Sequence, residues 1–158
     1  MNDKLYSRLY EIRYVLDDNI EEYKALFEEM YDNKDSTTFR KFCSVLLDES
    51  PSGNTSDIYA MWKEYVENYF DVTTNVGTYI YELLLNVDAF IPQAEFILQM
   101  SIIRILNNKN NIPIFLEIIP TIHSEHHSNY IIIKKLIENI KSEGRSTFWL
   151  DTILDGMP

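Results

Sequence analysis

Three histidines, His123, His126 and His127, lie close together in HSEHHSN, with spacings of three and one. Such spacing could bring two imidazoles to one cation, but a zinc site usually needs three or four protein ligands, and the HExxH pattern is absent. The segment reads as a solvated turn before a helix, and neither a metal nor another cofactor is expected. Carboxylates come in pairs at Asp17 and Asp18, Glu21 and Glu22, Glu28 and Glu29, and Asp48 and Glu49. Glycosidase-type chemistry needs two carboxyls facing each other across a cleft, whereas neighbours on a helix diverge by roughly 100°. These pairs read as solvated faces. GxSxG, Walker and GxGxxG sequences are absent, and the single cysteine, Cys43, sits in the apolar run from Phe42 to Leu47, where it packs as a small hydrophobe. The residues therefore argue for a binding protein, not an enzyme.

Arg104 is the most informative single charge. It stands in SIIRILN among Ile102, Ile103, Ile105 and Leu106. A guanidinium there must reach solvent or pair with a carboxylate, because an unpaired buried charge is costly. A buried or half-buried ion pair between helices is expected, with a partner contact as the alternative.

The elements that position these groups are helical. Only 4 Gly and 5 Pro punctuate 158 residues, and the apolar residues recur at helical spacing. The pattern predicts an all-α fold of about nine short antiparallel helices, as one globular bundle or as a hairpin stack resembling HEAT and armadillo repeats. The first helix covers about 3–16, and the second follows a cap at Asp18 or Asn19. Ser36 or Thr37 caps a third, which runs to Asp48 and Glu49. The polar stretch 49–56 reads as a mobile loop. A fourth helix follows a cap at Asn54, Thr55 or Ser56. Thr73 or Thr74 caps a fifth, in which Gly77 permits a close crossing. Pro92 opens a sixth, apolar and central helix, and Pro113 opens a seventh that Pro120 ends or kinks. The eighth covers about 128–142 and is closed by Gly144, and Ser146 caps a last helix containing Phe148 and Trp149.

A length of 158 residues with 46% hydrophobic content suits a single domain over 1–158. The net charge is −11, and residues 1–79 carry 16 acidic against 8 basic side chains. This balance repels phosphate backbones and anionic membrane surfaces, so neither nucleic acid nor membrane is an expected partner. A basic protein, in contrast, would be steered in by the long-range field. The N-terminal MNDKLYSRLY lacks an apolar signal core, and no run reaches the roughly 18 apolar residues of a membrane span, which points to the cytoplasm.

The segment from Asn54 to Asp71 combines these properties. Ile58, Met61, Trp62, Tyr65, Val66, Tyr69 and Phe70 form one helical stripe, and Asp57, Glu64, Glu67 and Asp71 surround it. Tyrosine and tryptophan beside carboxylate is the chemistry of an interface with a basic protein. The expected partner-binding residues are Asp48, Glu49, Asp57, Trp62, Glu64, Glu67 and Asp71. The same aromatic stripe would also serve homodimerisation.

Three segments resemble a family of bacterial immunity proteins encoded beside polymorphic toxins, immunity protein 30. They are VLLDES at 45–50, MWKEYVENYFD at 61–71 with YIYELLLNV at 79–87, and AEFILQMSIIRILNN at 94–108. The resemblance spans about residues 5–140, with RILN its most distinctive part, and reaches Asp48, Trp62, Glu67, Arg104 and Asn107. It implies a protein that binds and neutralises a cognate bacterial toxin domain. An acidic surface would suit a basic toxin, such as a nuclease, by occupying sites that otherwise hold phosphates. The competing expectation is a viral or host helical adaptor, similar to cell-death regulators, with a groove for an amphipathic helix lined by Tyr79, Phe90 and Phe96. A helical enzyme or ligand carrier with an enclosed aromatic cavity is a third.

Overall fold

Apolar residues recurring every three or four positions build helices along the chain. The structure is a computed structural model in which residues 2–14, 18–48, 55–145 and 149–158 are described. Among these residues there are nine α-helices, one short 3-10 turn and no strand, as the helical periodicity predicts. Among them, no helix is long and apolar enough to cross a membrane. The expected loop at 49–54, the caps at Asn54 and Ser146, and Phe148 lie outside the described residues.

Contacts divide the chain into two units, 1–69 with 89–97, and 70–88 with 98–158. The first contains α1 (Asn2–Glu11), α2 (Ile20–Asp32), α3 (Thr38–Val45), nearly all of α4 (Thr55–Phe70) and the start of α6 (Glu95–Leu106). Helices α1, α2 and α3 all touch one another. The core of this unit is aromatic. The Phe27 and Phe42 rings lie 4.4 Å apart and those of Phe42 and Tyr65 4.2 Å apart, while Trp62 lies 5.6 Å from Phe39 and 5.7 Å from Phe90. Cys43 is fully buried beside them, as its apolar context predicts.

The second unit contains α5 (Val76–Leu85), the rest of α6, α7 (Asn111–Glu125), α8 (His127–Ser142) and α9 (Leu150–Gly156). Helices α5, α7 and α8 pack mutually and α9 lies on α7 and α8, which is bundle packing. Buried Asn129 donates its amide to the Leu85 carbonyl at 2.7 Å, satisfying an orphan acceptor at the end of α5.

Several local expectations change. Helix α3 stops at Val45, because Leu46 is extended. Its start is organised by Asp35, whose carboxylate accepts from the Thr37 amide at 2.8 Å while its own amide donates to the Thr38 hydroxyl, also at 2.8 Å. This reciprocal arrangement works like a capping box. Thr73 and Thr74 do not cap α5. Their hydroxyls donate to the Asp71 carboxylate at 2.7 and 2.6 Å, and Asn75 is the flanking residue. Pro92 precedes α6 and does not open it. Pro120 lies inside α7, which continues to Glu125. The missing proline N–H costs one helical bond, but fully buried Ile119 and Ile122 anchor both sides of it. Gly144 has φ +67° and closes α8 as expected.

Gly77 faces Ile114 of α7, and a Cβ there would lie 3.6 Å from the Ile114 Cγ2, an ordinary contact. The α5–α7 crossing therefore does not need glycine. Gly77→Ala is expected to stabilise the protein by about 0.5–1 kcal/mol through helix propensity, read as a higher urea midpoint at unchanged slope. A lower midpoint would show that the crossing has no room for a methyl group.

Candidate functional site

Two helical stripes in the first unit enclose a groove. On α2 they are Lys24, Phe27, Glu28 and Tyr31, and on α4 Asp57, Ala60, Met61, Glu64, Tyr65 and Asn68. Both sets follow the three-and-four spacing of one helix face, so each helix contributes a continuous wall. The groove holds about 460 Å³. Aromatic rings span it from wall to wall, with Tyr65 5.7 Å from Phe27 and 5.9 Å from Tyr31, both edge-on. At one end the Tyr31 hydroxyl reaches the Asn68 carbonyl at 3.5 Å.

Charge is distributed around this apolar floor. Glu28, Asp57 and Glu64 are exposed, and among the described residues none of them has a cationic partner. Three carboxylates elsewhere are paired with a cation of the chain: Glu22 with Arg8 at 2.8 Å, Asp3 with Lys41 at 2.8 Å, and Asp151 with Lys141 at 2.5 Å. The Lys41 contact holds the Asp3 carboxyl below its ordinary range. Lys24, which also lines the groove, is paired with Glu21 at 3.2 Å. The Lys34 ammonium sits 4.1 Å above the Tyr31 ring, so that aromatic face already accepts a cation.

The Tyr65 hydroxyl is buried and has no hydrogen-bond partner among the described residues. Its burial pushes the phenol far above its ordinary pKa, with Tyr69, Cys43 and Tyr31 adding to the shift, so it stays neutral.

The structure brings together some of the sequence-predicted contact residues and removes others. Asp57 and Glu64 share the groove wall. Trp62 is only 1% exposed and belongs to the core, which corrects the expectation that it meets a partner. Asp48 also has a different role. Its two carboxylate oxygens accept from the backbone amides of Phe96 at 2.6 Å and Ile97 at 2.9 Å, so it caps α6. A carboxylate there satisfies orphan donors and complements the helix dipole.

Glu67 is half-buried and lies 3.9 Å from Lys63, one turn away. Asp71 is exposed at φ +45°, and the hydroxyls of Thr74 and Thr73 hold its carboxyl below the ordinary range. It belongs to the second unit. Glu49 lies outside the described residues. Arg104 is exposed, which corrects the expectation of burial: Ile102, Ile105 and Leu106 are buried and Ile103 is half-buried, so the arginine lies on the uncovered side of α6. Phe90 and Tyr79 are buried, so the groove expected at Tyr79, Phe90 and Phe96 is not formed by those residues.

Glu28 and Tyr31 line the groove although nothing in the sequence marks them as binding residues. The only available signal was their shared helical face with Lys24 and Phe27.

In the second unit, the His123 ring lies 5.2 Å from that of His127 and 4.5 Å from that of Tyr130, across the single-residue joint at His126. Among the described residues, no three His, Cys, Asp or Glu side chains converge as metal ligands.

The Asp48 assignment is directly testable. Asp48→Ala is expected to cost about 1–2 kcal/mol of stability, with Asp48→Asn recovering part of it, and neither change should alter partner affinity. Chemical denaturation and a binding titration separate the two effects. Loss of binding at unchanged stability would return Asp48 to the interface.

Compared with family models, curated proteins and solved structures, the chain gives no match.

Proposed function

We propose that this chain is an immunity protein, a binding protein without enzymatic activity that neutralises a cognate bacterial toxin domain in the cytoplasm. The observation that carries the reading is the convergence of Glu28, Asp57 and Glu64, which have no cationic partner among the described residues, around the apolar floor of the α2–α4 groove. Maintaining unneutralised carboxylates beside apolar surface favours a partner that supplies both positive charge and apolar side chains. The segments resembling immunity protein 30 point to the biological setting, and the net charge of −11 points to a basic toxin, such as a nuclease. Carboxylates on the groove would occupy positions that a nuclease reserves for phosphate.

The adaptor reading draws on the same groove, since two helical walls suit an amphipathic helix, but it lacks the support of the resembling segments. The neighbouring gene separates the two readings. An immunity protein is expected beside a large gene with a variable C-terminal toxin domain, and that domain should form a complex with this chain that weakens steeply as salt rises. An acidic toxin domain, or a complex indifferent to salt, would contradict the proposal.

A further inference from the structure

We infer that the α2–α4 groove receives a basic amphipathic helix of the protein partner. Two Lys or Arg side chains seven residues apart would meet Asp57 and Glu64, and an apolar side chain between them would rest on Met61. The inference rests on the proposed binding function and adds the chemistry of the occupant.

The register comes from helix geometry. Asp57 and Glu64 are seven residues apart, nearly two full turns, so they lie on one face about 10.5 Å apart along the axis. A partner helix repeats its own face at the same interval. Cations at its positions i and i+7 would therefore meet both carboxylates, with Glu28 available from the α2 wall. Between the two acids α4 presents Ala60, which is exposed, and Met61. The small Ala60 lets a backbone approach, and the thioether of Met61 adapts to different apolar side chains.

Other occupants fit less well. A second copy of this chain would bring another net charge of −11 against the same acids. Nucleic acid would be repelled in the same way. An extended segment would find no sheet edge to join, since there is no strand among the described residues.

The test uses the full chain and two ligands. The first is a synthetic helical peptide of Ala and Leu with Lys at positions i and i+7, labelled for fluorescence anisotropy. The second is the toxin domain from the neighbouring gene. Ala60→Trp fills the groove without changing charge, and its exposed position leaves the core intact, which a thermal melt verifies. Glu64→Lys removes one charge contact, and Glu138→Lys, on an exposed face of α8, controls for overall acidity. Ala60→Trp and Glu64→Lys are each expected to weaken peptide binding at least tenfold, while Glu138→Lys leaves it unchanged. Moving the second Lys to i+5 should weaken binding to the wild-type chain.

Equal binding by wild type and Ala60→Trp, or equal loss with Glu64→Lys and Glu138→Lys, would overturn the inference. A toxin complex that tolerates Ala60→Trp would overturn it while leaving the immunity reading intact. Peptide binding with the expected variant pattern, but no toxin complex, would support the groove and overturn the immunity reading.

Discussion

A chain carrying Glu28→Lys, Asp57→Lys and Glu64→Lys is expected to bind its partner at least about 100-fold more weakly while folding normally. These side chains are exposed and have no cationic partner among the described residues, so the fold loses no ion pair when they are reversed. The partner, in contrast, meets three repulsive charges where it met three attractive ones. Two kinetic effects should separate. The association rate falls because long-range steering is lost, and dissociation accelerates because the groove's rim no longer holds the docked cations. Stopped-flow association at several salt concentrations reads both. The wild-type rate should fall with added salt, since charges more than about 8 Å apart are screened at physiological ionic strength, and the triple variant should lose most of that dependence. Unchanged binding by the triple variant would place the interface elsewhere on the chain.

Trp62→Ala is the second large effect, and it should act on stability. The indole packs against Phe39, Tyr65 and Phe90 and is almost wholly enclosed. Removing it leaves a cavity that rigid neighbouring rings cannot fill, at a cost of about 3–5 kcal/mol. Small domains are stable by only about 5–15 kcal/mol, so a large share of the folded population would be lost. Urea denaturation and the near-ultraviolet circular dichroism of the aromatic core should register it. Trp62→Phe should cost less, since a ring still occupies the site. A Trp62→Ala chain that melts like wild type but fails to bind would make the indole a surface anchor after all.

The contrast between Trp62 and Glu64 shows where the sequence is legible. Helical periodicity places both on α4 and separates the apolar stripe from the acidic remainder. It also yields nearly every helix, since the three-and-four recurrence is a local property of consecutive residues. Helix ends were harder to locate. Asp35, not Ser36 or Thr37, organises the start of α3, because several short polar residues compete for the same amides and the winner depends on exact backbone geometry. Pro120 reads as a stop, yet α7 runs through it because tertiary burial of Ile119 and Ile122 outweighs one lost hydrogen bond.

Contacts distant in sequence were not legible. Asp48 caps a helix that begins more than forty residues later, and nothing near it announces that role. Glu28 reads as one of several solvated acids in sequence, and only the packing of α2 against α4 places it on the groove. Whether Arg104, set among isoleucines, is buried or exposed depends likewise on which side of α6 is covered. The apolar residues of that helix fix its buried face only once its neighbours are placed.

Co-expression of this chain with the toxin domain that the immunity reading places beside its gene, scored by cell survival and by recovery of a complex, decides whether the chain neutralises a toxin. The immunity reading predicts that cells making the toxin domain alone die, that the wild-type chain rescues them and co-purifies with the domain, and that the Glu28, Asp57 and Glu64 reversal abolishes rescue although the chain remains folded. Death in the presence of the wild-type chain, with no complex recovered, would contradict it.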